Sequence, residues 1–475
     1  MITTRILTDL DQINSLLPAC QALALRSGCF LPFQQLTLPW LWWKHFNTTA
    51  EIDFGHKRGR NFLGARTWVE KFYLVIAESG GRLQGFVPMV VSRVKLRSQQ
   101  SALRLLSFSA DSVLAFYQDF TVMPALREPA LRQMLDELIA LAEAERALLF
   151  LGHIPEDSLN IPFIADAITQ RLSRGFEGGM ARIQSRDGVY PWTIPDISKC
   201  LTDICERNGV QPALRLQIES LQTDLRRHNS SLLMFPRTRQ ELEATVNKIA
   251  DQLADAVQAG MLREAMAARD IAYPYMILPE RVEIFEQSLS DSNRYYFKRY
   301  LKKFSEAGGI FESIAPAEVS KQDIEDYLAL HMERWGEDSV AVNQATMDFH
   351  MELSRRLAAD GQARLFFAKL EGKRVAAHAC LDIGNRREYY FSGRRRDTTK
   401  LPIGKLLCYQ TVVDAVQQGR RYYDFGYGGD EYKSVFTRTS RTLRGFFLAA
   451  KGDFPDLNAL FPKYESMALE TPVEL

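Results

Sequence analysis

EYYFSGRRRDTTKLPIGKLLCYQTVVDAVQQGRRYYDFGYGGDEYKSVFTR, residues 388–438, reads as a strand, a basic loop, a helix, a second strand, a Gly-Gly turn and a short helix. Glu388 to Phe391 is short, aromatic and β-prone. Ser392 to Lys400 is a loop carrying Arg394, Arg395, Arg396 and Lys400. Pro402 fits a first helical turn, where its missing N–H removes no bond. Ile403, Leu406, Leu407, Thr411, Val412, Ala415 and Val416 recur at helical spacing, and Gly419 closes the helix. Tyr422 to Phe425 is the next strand, broken by Gly426, Gly428 and Gly429.

The first amides of a helix have no partner within it, and the helix dipole adds partial positive charge there. A strand feeding Pro402-Ile403-Gly404-Lys405 presents those amides to an anion, and Gly404 lets a ligand approach the backbone. The upstream cations add to the attraction, so the pattern suits a pyrophosphate. Neither GxxxxGK[ST] nor GxGxxG is present. An ordinary strand-loop-helix unit with a solvated basic loop has the same spacing.

The ordered segments resemble the C-terminal acetyltransferase-type domain of the CelD-like and FemAB-like acyltransferases of the GNAT superfamily. The residues that carry this are LPIGKLL (401–407), the helix closed by Gly419, YYDFG (422–426) and EYK (431–433). Upstream, HMERW (331–335) and AKLEGKRVAAHA (368–379) fit the same order, as do Pro32-Phe33-Gln34 and the Trp-rich segment after it. The resemblance is close over 275–450 and looser before residue 190. It implies an α/β fold of mixed sheets with two tandem GNAT-like domains and a helical insertion between them. The expected boundaries are 1–184 for a degenerate first domain, 185–270 for the insertion and 271–475 for the acyltransferase domain.

A chain of 475 residues exceeds one ordinary core. Its 46% hydrophobic and 25% charged composition is that of a soluble globular protein. A formal net charge of +1 argues against a nucleic-acid coat or an acidic polymer as the global partner. No apolar run approaches membrane-spanning length, and Met1 to Gln12 lacks the pattern of a signal peptide, so a cytoplasmic location is expected. The six cysteines are scattered, which predicts reduced structural thiols and no metal site.

Met1 to Ser27 has a helical apolar face. Trp40, Trp42, Trp43 and Phe46 either pack a helix on a sheet or line a pocket. Phe72–Ala77 and Gln84–Val91 read as a hairpin, Leu103–Phe108 and Phe116–Val122 as strands, Arg127–Arg146 as a helix and Ala147–Leu151 as a buried strand. This half lacks a Pro-x-Gly helix start with nearby cations, so it is expected to shape a cleft without binding the donor. In the insertion, Ile197–Cys205, Leu214–Leu225 and Glu241–Ala267 have helical periodicity, the last interrupted at Gly260. Asn293–Phe304 combines Arg294, Lys298, Arg299, Lys302 and Lys303 with three tyrosines. That pattern fits a nucleic-acid helix, a domain junction or a solvated face. Arg444–Lys451 reads as the closing strand.

Acyl transfer by direct attack needs a held thioester, a group polarising its carbonyl and a base for the acceptor. The GNAT plan implies a backbone amide on a central strand, where two strands splay apart, and we assign that strand to the one containing His378. His378 sits in the apolar VAAHAC and is either a satisfied core histidine or, by match to the family's AAH, the base. Asp424 ends the next strand and either orients His378, binds the acceptor or caps the turn. Tyr432 is placed to protonate a leaving thiolate, and Lys433 to pair with Asp424 or contact phosphate. Arg394, Arg396, Lys400, Pro402, Ile403, Gly404 and Lys405 form the expected cofactor cradle. Glu333, Arg334 and Trp335 are expected at the acceptor.

The resemblance implies acyl-CoA or acetyl-CoA, or an acyl carrier protein, as the donor, with no tightly bound cofactor. The acceptor is then an amine or hydroxyl of a small molecule, saccharide, cell-envelope or lipid precursor. Two other enzyme readings stay open: a FemAB-like ligase using aminoacyl-tRNA, and an N-acyltransferase resembling bacterial ceramide synthases, with peripheral membrane contact. A non-catalytic scaffold for polysaccharide or lipid assembly is the reading from another class.

Overall fold

The computed structural model describes residues 2–28, 34–47, 66–95, 103–109, 117–182, 194–206, 210–229, 236–266, 273–335, 342, 346–397, 401–426, 431–454 and 464–466. The first half runs β1 (Thr3–Leu7), α1 (Leu10–Arg26), α2 (Thr37–Phe46), β2 (Arg66–Ser79), β3 (Arg82–Lys95), β4 (Leu103–Phe108), β5 (Thr121–Val122), α3 (Arg127–Glu145), β6 (Leu148–Pro155), α4 (Ile161–Leu172) and β7 (Phe176–Arg182). Next come α5 (Ile194–Glu206), α6 (Pro212–Asn229), α7 (Pro236–Gln252) and α8 (Ala256–Met266). The second half runs β8 (Tyr273–Ile277), α9 (Val282–Ser288), α10 (Asp291–Glu306), β9 (Ile310–Ile314), α11 (Lys321–Trp335), α12 (Met347–Ala359), β10 (Ala363–Leu370), β11 (Lys373–Ile383), β12 (Arg386–Arg394), α13 (Ile403–Gln417), β13 (Tyr422–Asp424), α14 (Glu431–Ser434), β14 (Ser440–Arg441), β15 (Leu443–Ala450) and β16 (Tyr464–Ser466).

Two mixed sheets result. Their orders are β1-β2-β3-β4-β6-β15-β7-β16, with β5 on β3, and β9-β10-β11-β12-β13-β8-β14. Each half contributes a strand, two helices, three antiparallel strands, a helix and a parallel strand. In each sheet the next position is filled by a further strand: β15, from the second half, in the first sheet, and β8, the second half's own opening strand, in the second. The expected closing strand is therefore real, but it closes the other half's sheet. It lies antiparallel to both β6 and β7, its Phe446 and Leu448 buried in the first core.

Periodicity misses three features. Residues 3–7 are not helical: they pair with β2 as an edge strand. The segment around 121 supplies only two residues of strand. The long helix expected over 241–267 is two helices, broken not at Gly260 but before Ala256. There the Asp255 carboxylate accepts from the Val257 amide at 2.9 Å and starts α8. The Trp-rich segment behaves as a packing helix: Trp40 and Trp43 sit 6.2 and 5.9 Å from Phe72.

The insertion of β15 into the first sheet ties both halves into one compact unit, Met1–Ile183, Pro274–Gly426 and Val435–Leu475. Gln184–Tyr273 and Tyr427–Ser434 form a second unit. Its helices bury Leu201, Ile218, Leu221, Ile249 and Leu262 among themselves.

In the second sheet, α11 lies directly on β12 at Gly393. A Cβ there would stand 2.5 Å from the His331 Cα and closer still to the His331 amide nitrogen. Both opposing atoms are backbone, so neither can swing aside. Gly393→Ala is expected to lower unfolding free energy by about 1–3 kcal/mol in urea titration. Gly404→Ala, whose nearest neighbour atom is 3.9 Å away, should leave it unchanged within about 0.5 kcal/mol.

Candidate active site

β12 and β13 are parallel, and they pair over three positions only: Arg386 with Tyr422, Arg387 with Tyr423 and Glu388 with Asp424. Past that last pair β13 ends, and Gly426 at φ +66° turns the chain away. β12 continues to Arg394 with β11 on its other side. The splay thus lies between β12 and β13. This corrects the expectation that placed it on the strand of His378: β11 pairs on both edges, with β10 and β12.

The vertex is charged. Asp424, 1% exposed, accepts from the Tyr117 hydroxyl at 2.8 and 2.9 Å, from Arg441 at 2.8 Å and from the Gly426 amide at 2.9 Å. Arg386 stands 3.7 Å away. The Arg441 guanidinium stacks 4.1 Å from the Tyr275 ring. Beside this group Glu388 is fully buried, and among the described residues neither carboxyl oxygen has a hydrogen-bond partner. Burial, then the adjacent Asp424 charge, pushes the Glu388 carboxyl well above its usual range, so it holds its proton. Tyr117, Glu388 and Arg441 were not singled out in the sequence. The one signal for Glu388 is a lone carboxylate inside an aromatic strand, a residue rarely buried unless paired.

His378 lies on the opposite face. The Arg387 guanidinium bonds the Thr411 carbonyl and Asp414 of α13, so Arg387 and Tyr389 face α13, whereas Glu388 faces away. The His378 ring packs edge-on against Tyr389 at 4.9 Å. Tyr423 likewise bonds Thr411 of α13, turning Asp424 to the other side. Of the three roles expected for Asp424, orienting His378 is therefore not one the fold allows. Burial pulls the His378 pKa down to about 3, so the ring is neutral, and its Nδ1 has no partner among the described residues. Tyr432 and Lys433 belong to the helical unit, where the Lys433 ammonium lies 5.9 Å from the Tyr432 ring.

At the start of α13, the Arg394 side chain reaches the surface of Gly404, its Cδ 3.9 Å from where a Cβ would stand. Arg334 joins this site: burial, Arg394 and Arg396 all lower its pKa, as crowded like charges do. Arg334 thus sits with the expected donor cations rather than apart at an acceptor. Glu333 holds Arg396, accepting from its amide at 3.1 Å and, through its own carbonyl, from its Nε at 2.6 Å. Trp335 and His331 bond the Ser392 carbonyl of β12 at 3.1 and 2.8 Å. The Lys405 ammonium lies 4.5 Å from the Tyr296 ring. Pro402 and Ile403 begin the helix. Lys400 lies outside the described residues.

Arg441→Met strips Asp424 of its bonded cation in a dry site. Urea unfolding should show a loss of about 3–5 kcal/mol, with a smaller loss for Arg441→Met combined with Asp424→Asn.

Residues 291–434 match a family model described as "Acetyltransferase (GNAT) domain". No curated protein sequence matches the chain. Similar solved structures include FemX (12% identity, TM-score 0.43, covering 87% of this chain and 95% of that one). L-PGS from Bacillus licheniformis has 10% identity and a TM-score of 0.40, covering 86% of this chain and 91% of that one. A tandem GNAT protein from the clavulanic acid biosynthesis pathway has 9% identity and a TM-score of 0.37, with coverages of 95% and 99%. The splayed strand pair and the helix start after it both fall inside the matched residues, and the chain is an acyltransferase that carries a GNAT acetyltransferase domain.

Proposed function

We propose that this acyltransferase takes its acyl group from acyl-CoA and passes it directly to an amine or hydroxyl acceptor. The observation that carries the reading is the pairing, in one half, of a cation-lined helix start with a strand whose edge is left open by the splay. The pyrophosphate would sit on the first amides of α13 with Arg334, Arg394 and Arg396 around it, and the thioester arm would follow β12 towards Glu388. His378, on the other face, is a lining residue in this scheme. The first half repeats the splay, β4 pairing with β6 over three positions, but without a carboxylate at its last pair. Its equivalent vertex pairs Ser107 with Phe150, and its helix α3 opens on Arg127-Glu128, an acid that repels an anion.

Glu388, deprotonated, takes the proton from the acceptor as the new C–N or C–O bond forms and the thioester C–S bond breaks; the proton then passes to the departing thiolate. A base form that appears only above a raised pKa makes kcat/KM climb with pH beyond the ordinary carboxylate range. Glu388→Gln should flatten that climb and lower kcat roughly 10²–10⁴-fold, with acyl-CoA affinity unchanged. The same substitution should stabilise the protein at pH 8. The unfolded carboxyl titrates at about 4.3, and above that value the folded state holds the extra proton, so wild-type stability falls as pH rises. The gain should vanish near pH 4. Full turnover in the variant would sink the assignment.

The donor itself is tested by calorimetry. Acetyl-CoA or longer acyl-CoAs should bind wild type, and at 100 times Kd raise unfolding free energy by about 2.7 kcal/mol. Gly404→Glu, which puts a carboxylate at the helix start, should abolish both effects. The five basic residues of α10 favour a second donor, aminoacyl-tRNA. Binding of charged tRNA and none of any CoA would select it. Binding of neither would favour a scaffold.

A further inference from the structure

We propose that the side of α10 nearest α13 binds the 3′-phosphoadenosine end of the acyl-CoA donor, a role that rests on the acyl-CoA reading above. Phe297 of α10 stacks on Tyr409 of α13 at 4.5 Å and seats one helix on the other. One turn before Tyr409, the Lys405 ammonium lies over the Tyr296 ring. Tyr296 in turn lies 4.7 Å from Tyr300, and the Tyr300 ring is flanked by Arg299 at 5.7 Å and Lys303 at 5.6 Å. A strip of alternating cations and rings therefore leads from the first turn of α13 along α10.

The strip's charge is not balanced from within. Among the described residues Lys302 meets Glu306 at 3.8 Å, whereas Lys298, Arg299 and Lys303 make no ion pair. Unneutralised cations crowded along one short helix, Arg299 and Lys303 on a single face, repel one another, and a polyanion relieves that repulsion. In CoA the pyrophosphate carries the pantetheine arm on one side and a 3′-phosphorylated adenosine on the other. With the pyrophosphate at Gly404 and the arm along β12, the adenosine must leave near Lys405. Rings spaced as Tyr296 and Tyr300 offer a stacking surface for a purine, and Arg299 and Lys303 stand beside it for a phosphate. Tyr295, 65% exposed, is the one large apolar side chain that α10 leaves in solvent, which favours a nucleotide over a lipid surface.

The experiment is calorimetric titration of the full chain with CoA, 3′-dephospho-CoA and 4′-phosphopantetheine. Wild type should bind CoA about tenfold more tightly than dephospho-CoA. Arg299→Ala with Lys303→Ala should erase that preference, while Lys321→Ala, a surface control on α11, should not. Tyr300→Leu should weaken CoA and dephospho-CoA alike by roughly 5- to 100-fold and leave phosphopantetheine unchanged. Equal binding of CoA and dephospho-CoA, or unchanged CoA affinity in the α10 variants, overturns this inference and leaves the acyl-CoA reading standing. No binding of CoA by wild type overturns both. Loss of tRNA or anionic-vesicle binding in the α10 variants, with CoA affinity intact, also overturns it and reassigns the strip.

Discussion

Asp424 is a charge held almost out of water at the last register pair between β12 and β13, and the surrounding architecture is arranged to keep it there. A carboxylate so placed is tolerable only when bonded and opposed by a cation. The neighbouring strand offers only Arg386 at 3.7 Å, and the two bonded side chains come from farther off: Tyr117 lies 307 residues away in the first half, and Arg441 lies in β14. The bond from Tyr117 therefore does two things. It satisfies the end of the splayed strand, and it links the two halves at the point where the chemistry is placed. Glu388, next to Asp424, keeps its proton because burial, and then the adjacent Asp424 charge, disfavours its ionised form.

The placement of β15 follows the same logic at the scale of sheets. A sheet edge left open invites pairing. The first half stops one strand short and takes β15 from the second, so the first sheet is not complete on its own. The paired halves share a topology but not a charge pattern. Where the second has Glu388 beside Asp424, the first has Ser107 beside Phe150, and His153 near the end of β6 is buried with its pKa pulled down to about 4. The duplicated frame thus holds one half with a polar vertex and one whose vertex is closed by an aromatic ring.

The strand-loop-helix-strand order of 388–425 was legible because its periods change sharply, from two to about 3.6 and back, with Pro402 and Gly419 as punctuation. The helix start and its cations were legible for the same reason: they are local. What could not be read is what depends on distance. Residues 443–450 look like a strand from their pattern, but no pattern says which sheet receives them. Thr3–Leu7 is too short to show its alternation beside the helix that follows. Glu388 carries no motif, and its significance comes from Asp424 and Tyr117 arriving beside it in the fold. His378 stands out in the sequence for an imidazole's usual basicity, which burial against Tyr389 removes. The place of Arg334 in HMERW suggests an acceptor residue, and the packing of α11 on β12 moves it to the donor cations.

The central claim is that the donor lies along the open edge of β12 and on the first turn of α13. Hydrogen exchange of backbone amides, measured with and without saturating acetyl-CoA, tests it directly. The account predicts new protection confined to residues 389–394 and 403–406, with the matching segments of the first half, around β4 and the start of α3, unchanged. Protection appearing around β4 and α3 instead, with β12 and α13 exchanging as before, would contradict it.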